Sequence, residues 1–325
     1  MSHLFLSLII PVYRAENFIE ACLNSVFRQI PDGVEVILVD DGTPDSSMNI
    51  VRRQFGQWIR SGQLILLEQS NMGPGAARNT GIRQSRGDYI AFLDSDDVFL
   101  DGYFEEVIDH LKSDIADIVE FGFKRFSSLE NLSDEIYKPL YRFEGLQKLI
   151  DVREQVFSAG CWYPSTRVYR RSIIASHLFP EGTHYEDLMT IPFIYLQDLM
   201  VSFIDKPLLG YRYNPESITS RHTEKQLNEK YAFYKSIPLT TDCDSTKILK
   251  LKIARGMVFF YSELNAPGFP IGELVQEIRE MRLQPKARKQ LCLADQIFFL
   301  FPAVYTCFDR VRVPTKKLLA KLSSA

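Results

Sequence analysis

The sequence is poor in several features that would announce a function at once. It has five cysteines, Cys22, Cys161, Cys243, Cys292 and Cys307, an odd number, widely scattered and without a C-x-x-C pair. Neither a zinc site nor a disulfide framework is signalled, and reduced cytoplasmic thiols are the simple reading. Positive charge is not in excess: the net charge is −3, which argues against nucleic acid as the main partner. No apolar run approaches the ~20 residues that a membrane span requires. The opening "MSHLFLSLIIPVYR" has no basic region before its short apolar run, which stops at Pro11. It therefore reads as a strand and not as a signal peptide. No G-x-x-x-x-G-K-[ST] phosphate loop occurs, and there is no internal repeat or low-complexity linker.

What remains is a globular chain with an ample core. At 325 residues, 46% hydrophobic and 24% charged, it can hold one large domain or two ordinary ones. Residues 1–126 alternate strand and helix patterns. "LSLIIPVY" (6–13) and "VEVILVDDG" (34–42) are the continuous apolar runs of strands covered on both faces. Between them Phe18, Ile19, Cys22, Leu23, Val26, Phe27 and Ile30 recur at helical steps. Thr43 and Pro44 predict a helix over 43–55, as N-cap and first-turn residues. A strand at 63–69, a helix entrance rich in small residues at 73–85, a strand at 89–93, a helix at 100–111 and a strand at 116–126 follow. The order predicts an α/β fold with a mostly parallel sheet flanked by helices.

In such sheets ligands bind beyond the carboxyl ends of the strands. The residues gathered there are Pro11, Val12 and Tyr13, then Asp40 and Asp41, then the loop at Asn71 and Gly73, then Asp94, Ser95 and Asp96. Asp97 adds a third carboxylate to the last group. Like charges this close raise one another's pKa unless a cation or hydrogen bonds compensate. Hard oxygen ligands spaced D-x-D suit Mg²⁺ or Mn²⁺, whose usual companions are phosphates. The bland alternative has Asp94 capping the next helix and its neighbours solvated; Asp40 and Asp41 on an adjacent strand favour the cation. "GPGAAR" at 73–78 begins like a dinucleotide fingerprint, but Arg78 occupies the third glycine position and the loop follows the third strand. Arg78 reads instead as a cation near a diphosphate, or as a surface arginine in the first helical turn.

Four successive blocks, "SLIIPVYRAENFIEACLNSVFRQ", "VEVILVDDGTPDSS", "NMGPGAARNTGIRQSRGDYIAFLDSDD" and "HYEDL", resemble the family 2 glycosyltransferases of the GT-A fold. The resemblance runs over roughly residues 5–215. It implies transfer of a sugar from a nucleotide-diphosphate donor, usually a UDP-sugar, to an acceptor hydroxyl with inversion. Pro11, Val12 and Tyr13 match the block lining base and ribose, and Asp41 or Asp40 the carboxylate that bonds the base. Gly73, Arg78 and Asn79 match the block beside the donor. Asp96 matches the direct metal ligand, and Asp94 the residue facing ribose and metal. Asp187 matches the general base, with Glu186 orienting it or the acceptor. His222 sits where related enzymes sometimes offer a late metal contact, and Trp162 and Tyr163 fall in the acceptor segment. Relatives carry a lysine near Thr166–Arg167, where this chain reads "STRVYR".

The implied organisation is a catalytic domain over 1–221, with a donor half (1–126) and an acceptor half (127–221), and a helical region over 222–325. "IFFLFPAVYTCF" (297–308) has no charge and is broken by Pro302, and 309–325 carries five basic residues against one acid. A helix over 296–325 lying on an anionic bilayer is one reading; docking on the core or on a second copy is the other. The expected partners are a nucleotide-sugar and a glycan or lipid-linked acceptor, at the inner face of the cell membrane. A nucleotidyltransferase and a catalytically silent scaffold are the alternatives from other classes.

Overall fold

The structure is a computed structural model and describes residues 4–112, 115–132, 136–214, 222–238, 244–264, 266 and 268–306. The chain divides into two compact units. One comprises residues 1–151 and 162–214, the other 152–161 and 215–325.

The first unit is built on one sheet. Its strands are β1 (Leu6–Val12), β2 (Val34–Asp40), β3 (Leu64–Glu68), β4 (Tyr89–Phe92), β5 (Val98–Phe99), β6 (Ile118–Phe126), β7 (Gly145–Lys148), β8 (Arg167–Arg170) and β9 (Met200–Arg212). They run in the order β3-β2-β1-β4-β8-β6-β9-β5, with β7 also on β9. The half β3-β2-β1-β4 is parallel, as the strand–helix alternation predicts. Beyond it β8 inserts antiparallel between β4 and β6, and β9 lies parallel to β6. Every residue of β1 and β2 is buried, because helices cover both faces.

The helices of this unit are α1 (Ile19–Phe27), α2 (Ser47–Gln54), α3 (Gly56–Ser61), α4 (Pro74–Gln84), α5 (Tyr103–Leu111), the start of α6 (Leu149–Ala159), α7 (Arg171–Ala175) and α8 (Glu186–Ile194). Thr43 does not cap a helix as its sequence context predicts; α2 begins at Ser47. The cause is local competition. The Asp45 carboxylate accepts from Thr43 Oγ1 at 2.8 Å and from Ser47 N at 3.0 Å, so these residues close a loop first.

Two backbone details open the rim. In β1, Ile9 O accepts from Leu93 N at 3.1 Å. The next rung of a parallel ladder would need an N–H at residue 11, and Pro11 has none. The chain after Leu93 is thus released from the sheet at the point where the acidic loop begins. Helix α4 meanwhile packs close on β1: a Cβ on Gly81 would lie 2.4 Å from Ile9 Cγ2.

The second unit is helical, with α9 (Glu224–Ser236), α10 (Asp244–Leu264), α11 (Ile271–Glu280), α12 (Pro285–Gln290) and α13 (Leu293–Leu300). A capping box of Thr223 and Gln226 starts α9. Its core includes Leu227, Tyr234, Ile248, Met257, Leu274, Ile278 and Phe298.

Candidate active site

The rim forms where β1, β2 and β4 end. Pro11 and Val12 are buried and Tyr13 is exposed. Arg14 adopts a left-handed φ of 51°, uncommon outside glycine, and its N–H donates to Thr43 Oγ1 at 2.8 Å. Glu16 N–H donates to Asp45 Oδ2 at 3.0 Å. Asp45 therefore clasps the β1–α1 loop to the β2–α2 loop. Burial opposes its charge, but the bonds from Ser47, Glu16 and Thr43 hold it below the usual carboxylate range.

Asp40 and Asp41 are both buried, and they bond different partners. Asp40 Oδ1 accepts from Thr43 N at 2.8 Å. Asp41 accepts from Gln69 Nε2 at 2.8 Å, from Met72 N at 2.9 Å and, through Oδ2, from Gly73 N at 2.9 Å. Asp41 thus holds the loop leading into α4, where Gly73 takes a φ of +90° that favours glycine.

In the acidic loop, three neighbouring carboxylates have three environments. Asp94 Oδ1 accepts from Arg78 Nη2 at 2.7 Å. Asp97 is buried and accepts from the backbone N–H of Arg212 at 2.7 Å, leaving Oδ2 without a partner. Burial, then the charges of Asp96 and Asp94, push its pKa well up. Asp96 is partly exposed, and burial followed by the charge of Asp94 raises its pKa to about 6. Arg212 answers from β9 with Nε on Asp96 O at 2.7 Å and its guanidinium over Phe126 and Phe18. The bland reading of Asp97 as a solvated carboxylate therefore fails: it is a buried strut between this loop and β9.

Negative charge is left under-compensated at Asp96, beside the arginine-paired Asp94, which is what a cation site requires. Among the described residues no group of three or more His, Cys, Asp or Glu could hold a metal unaided. Two carboxylates, one of them already shared with an arginine, fit a Mg²⁺- or Mn²⁺-type ion whose other ligands are phosphate and water oxygens.

Arg78 is the centre of the site. It is buried, with Nη1 on Glu186 Oε1 at 2.6 Å and Nη2 on Asp94 Oδ1 at 2.7 Å. Burial disfavours its charge, and the two carboxylates outweigh that cost. This excludes the reading of Arg78 as a surface residue. Its Nε is buried without a partner. Close approach of α4 to the acceptor side needs Gly75, since a Cβ there would meet Pro180 O at 2.7 Å and Glu186 Cγ at 3.2 Å. Asn79 fastens the same segment: Phe179 N–H donates to its Oδ1 at 2.9 Å, and its Nδ2 donates to Phe179 O at 2.8 Å. It is a clamp within the protein.

Glu186 and Asp187 open α8 after Tyr185, whose φ is 62°. Asp187 is partly exposed. Burial and then the charge of Glu186 raise its pKa to about 7, against the Leu188 N–H and Arg78. A carboxylate poised there is suited to taking a proton near neutral pH.

On the acceptor side, Trp162 is buried, its ring 5.7 Å from that of Tyr195. It packs in the core and presents no face to a sugar. Tyr163 is partly exposed and stacks on Tyr211 at 5.1 Å. Arg167 is fully buried and donates to Glu120 at 2.9 and 3.1 Å, to Tyr195 OH at 2.8 Å and to Tyr163 O at 2.9 Å. Near the place where the family resemblance implies a lysine, the chain thus has an arginine bonded inside the protein. His222 lies in the helical unit, its Nδ1 on Glu263 and its ring stacked 3.7 Å from Phe260. Sequence reasoning does not find Arg212, Asp45 or the Arg167–Glu120 pair. The arginine that opens the short stretch "RVYR" is the one available signal for the last.

The family model for Glycosyl transferase family 2 matches residues 7–178, a span that includes the rim, the acidic loop and α4. The glycosyltransferase EpsJ of Bacillus subtilis (strain 168), itself uncharacterized, is 33% identical over 252 residues, covering 73% of this chain and 72% of that one. The chain belongs to glycosyl transferase family 2 and is a glycosyltransferase. Among solved structures, S. aureus TarS 1–349 in complex with UDP-GlcNAc aligns with a TM-score of 0.66 at 17% identity, covering 97% of this chain and 92% of that one. The mannosyltransferase PcManGT from Pyrobaculum calidifontis, in complex with GDP-Man and Mn²⁺, aligns at 0.54 and 15% identity, covering 96% and 88%. These likenesses establish the fold as the GT-A type. Family membership also sets aside the nucleotidyltransferase alternative.

Proposed function

We propose that this glycosyltransferase moves a sugar from a nucleotide-diphosphate donor, a UDP-sugar, to an acceptor hydroxyl with inversion at the anomeric carbon. The acceptor is a glycan or lipid-linked sugar of bacterial surface glycan assembly, as the family resemblance implies. The observation that carries the reading is the Arg78 bridge. One buried guanidinium holds Asp94 of the D-x-D pair and Glu186 of the E-D pair, so donor-side and acceptor-side carboxylates face one site. The UDP-GlcNAc in the TarS structure supports uridine as the base.

In this reading Pro11, Val12 and Tyr13 receive base and ribose, with Asp40 or Asp41 the carboxylate nearest the base. Asp96, helped by Asp94, holds a divalent cation with the donor's diphosphate. Such a cation, when bound, supplies Lewis-acid neutralisation of the departing nucleotide. Asp187 takes the proton of the attacking hydroxyl, and a single displacement needs no covalent intermediate. Glu186, fixed by Arg78, keeps that base oriented and its pKa raised. The catalytic domain is taken to end near residue 221.

A panel of UDP-, GDP-, dTDP- and CMP-sugars tests this, with Mn²⁺, Mg²⁺ or chelator and with Asp96→Ala and Asp187→Asn alongside. Metal-dependent nucleotide release from a UDP-sugar, lost in both variants, is expected. Calorimetry showing no nucleotide bound with either metal would overturn the catalytic reading.

A further inference from the structure

The end of the helical unit carries apolar surface that the described residues of the unit do not cover. Leu293, Ile297 and Leu300 recur at helical spacing on α13 and are 72%, 42% and 58% exposed. Phe301 and Val304 follow at 58% and 66%. The other face of the same helix is filled: Asp295 and Phe298 are fully buried and Phe299 nearly so. So α13 is docked, and docked with an apolar stripe outward. Single exposed apolar residues are ordinary; five within twelve positions form a contiguous patch of the kind that marks an interaction surface.

Charge decides what the stripe faces. Residues 281–325 contain nine lysines and arginines against two acids, on a chain whose net charge is −3. One of the acids, Asp295, is buried and paired with Lys252 and Arg255. Arg282, Lys286, Arg288 and Lys289 are exposed just before α13. The Arg288 guanidinium lies 5.3 Å from the centroid of the Phe299 ring, which seats this basic stretch against the inner face of the same helix. Beyond the described residues the sequence continues with Arg310, Arg312, Lys316, Lys317 and Lys321. An apolar stripe with cations on both sides in sequence matches a bilayer interface with anionic headgroups. A second copy on the same stripe would bring two basic belts together, which like-charge repulsion opposes. No helix among the described residues is long and apolar enough to cross a membrane.

We infer that α13 and the turn after it form a membrane-surface docking element that takes an anionic lipid bilayer. The stripe enters the headgroup region while Arg282, Lys286, Arg288 and Lys289 meet lipid phosphates. This surface is independent of the donor reading, and its test does not use turnover.

The experiment is co-sedimentation of the full chain with vesicles of phosphatidylglycerol mixed with phosphatidylcholine, or of phosphatidylcholine alone. Binding to the anionic vesicles is expected, about tenfold or more above that to the neutral ones and weakened by salt. The double variant Leu300→Asp/Phe301→Asp loses it with melting unchanged, since both side chains already face solvent. Lys286→Glu/Lys289→Glu weakens it. Any of these outcomes overturns the proposal: wild type leaves the anionic vesicles unbound; the stripe variant binds as wild type does; or the stripe variant only converts a sedimenting dimer to monomer, which assigns the face to a second copy. Vesicle binding that arises only after removal of 307–325 would show that this segment covers the stripe, and would overturn it too.

Discussion

Arg78 Nη1 lies 2.6 Å from Glu186 Oε1, while its second terminal nitrogen lies 2.7 Å from Asp94 Oδ1. The guanidinium fork is what makes the relationship possible. A planar group with donors on two edges can satisfy carboxylates from two chain segments at once, which a lysine ammonium on a flexible stem does not reproduce.

Arg78→Lys is therefore expected to fold and to lose nucleotide-sugar turnover on the order of a hundredfold, because small misplacements of reacting groups cost that much. Arg78→Met leaves Glu186 buried and unpaired. It is expected to lose about 3 kcal/mol in denaturant unfolding, the low end of the range because the Asp94 side chain keeps 31% exposure. Wild-type turnover in Arg78→Lys would show that the bridge only stabilises the fold.

Asp187 sets a pH dependence. A carboxyl raised to about 7 is protonated below that value and cannot accept the acceptor's proton. kcat/KM is expected to fall about tenfold per pH unit below 7. Glu186→Gln removes the neighbouring charge and leaves Arg78 closer to uncompensated, and both effects favour ionised Asp187. Its acid limb should move to lower pH even though its maximum rate drops. A limb at the wild-type position in Glu186→Gln would exclude Asp187 as the titrating base.

Two glycines give opposite signs in one melting experiment. Gly75→Ala sets a methyl 2.7 Å from the Pro180 carbonyl oxygen, and a backbone carbonyl cannot swing aside. A loss of about 1–3 kcal/mol is expected, with turnover falling further because α4 and the start of α8 are pushed apart. Gly256 stands inside α10 with nothing within 4 Å of the place a methyl would take. Gly256→Ala is expected to gain about 1 kcal/mol from helix propensity. Equal melting shifts in the two variants would contradict this packing account.

Much of the donor half is legible in the sequence because its signals are local. β1 and β2 read as buried strands since both faces are covered, and α1 is placed by its apolar spacing. The start of α2 is not legible, because Thr43 and Ser47 bond Asp45 before any helix can claim them. β8 escapes notice as a sheet member since four residues carry too little periodicity, and its antiparallel place between β4 and β6 depends on partners remote in sequence. The role of Asp97 is invisible for a similar reason: its partner is the backbone N–H of Arg212, and no side-chain pattern encodes an amide.

The amino-acid sequence by itself determined the class of fold, the location of the acidic rim and the family, because strand and helix periods and motif spacing are properties of contiguous residues. Tertiary structure alone decided how those motifs act on one another. Arg78 became a bridge, Asp97 a strut and Trp162 a core residue only when segments far apart in the chain were packed together. Burial and neighbouring charge, which exist only in the folded chain, are also what raised Asp187 above an ordinary carboxyl.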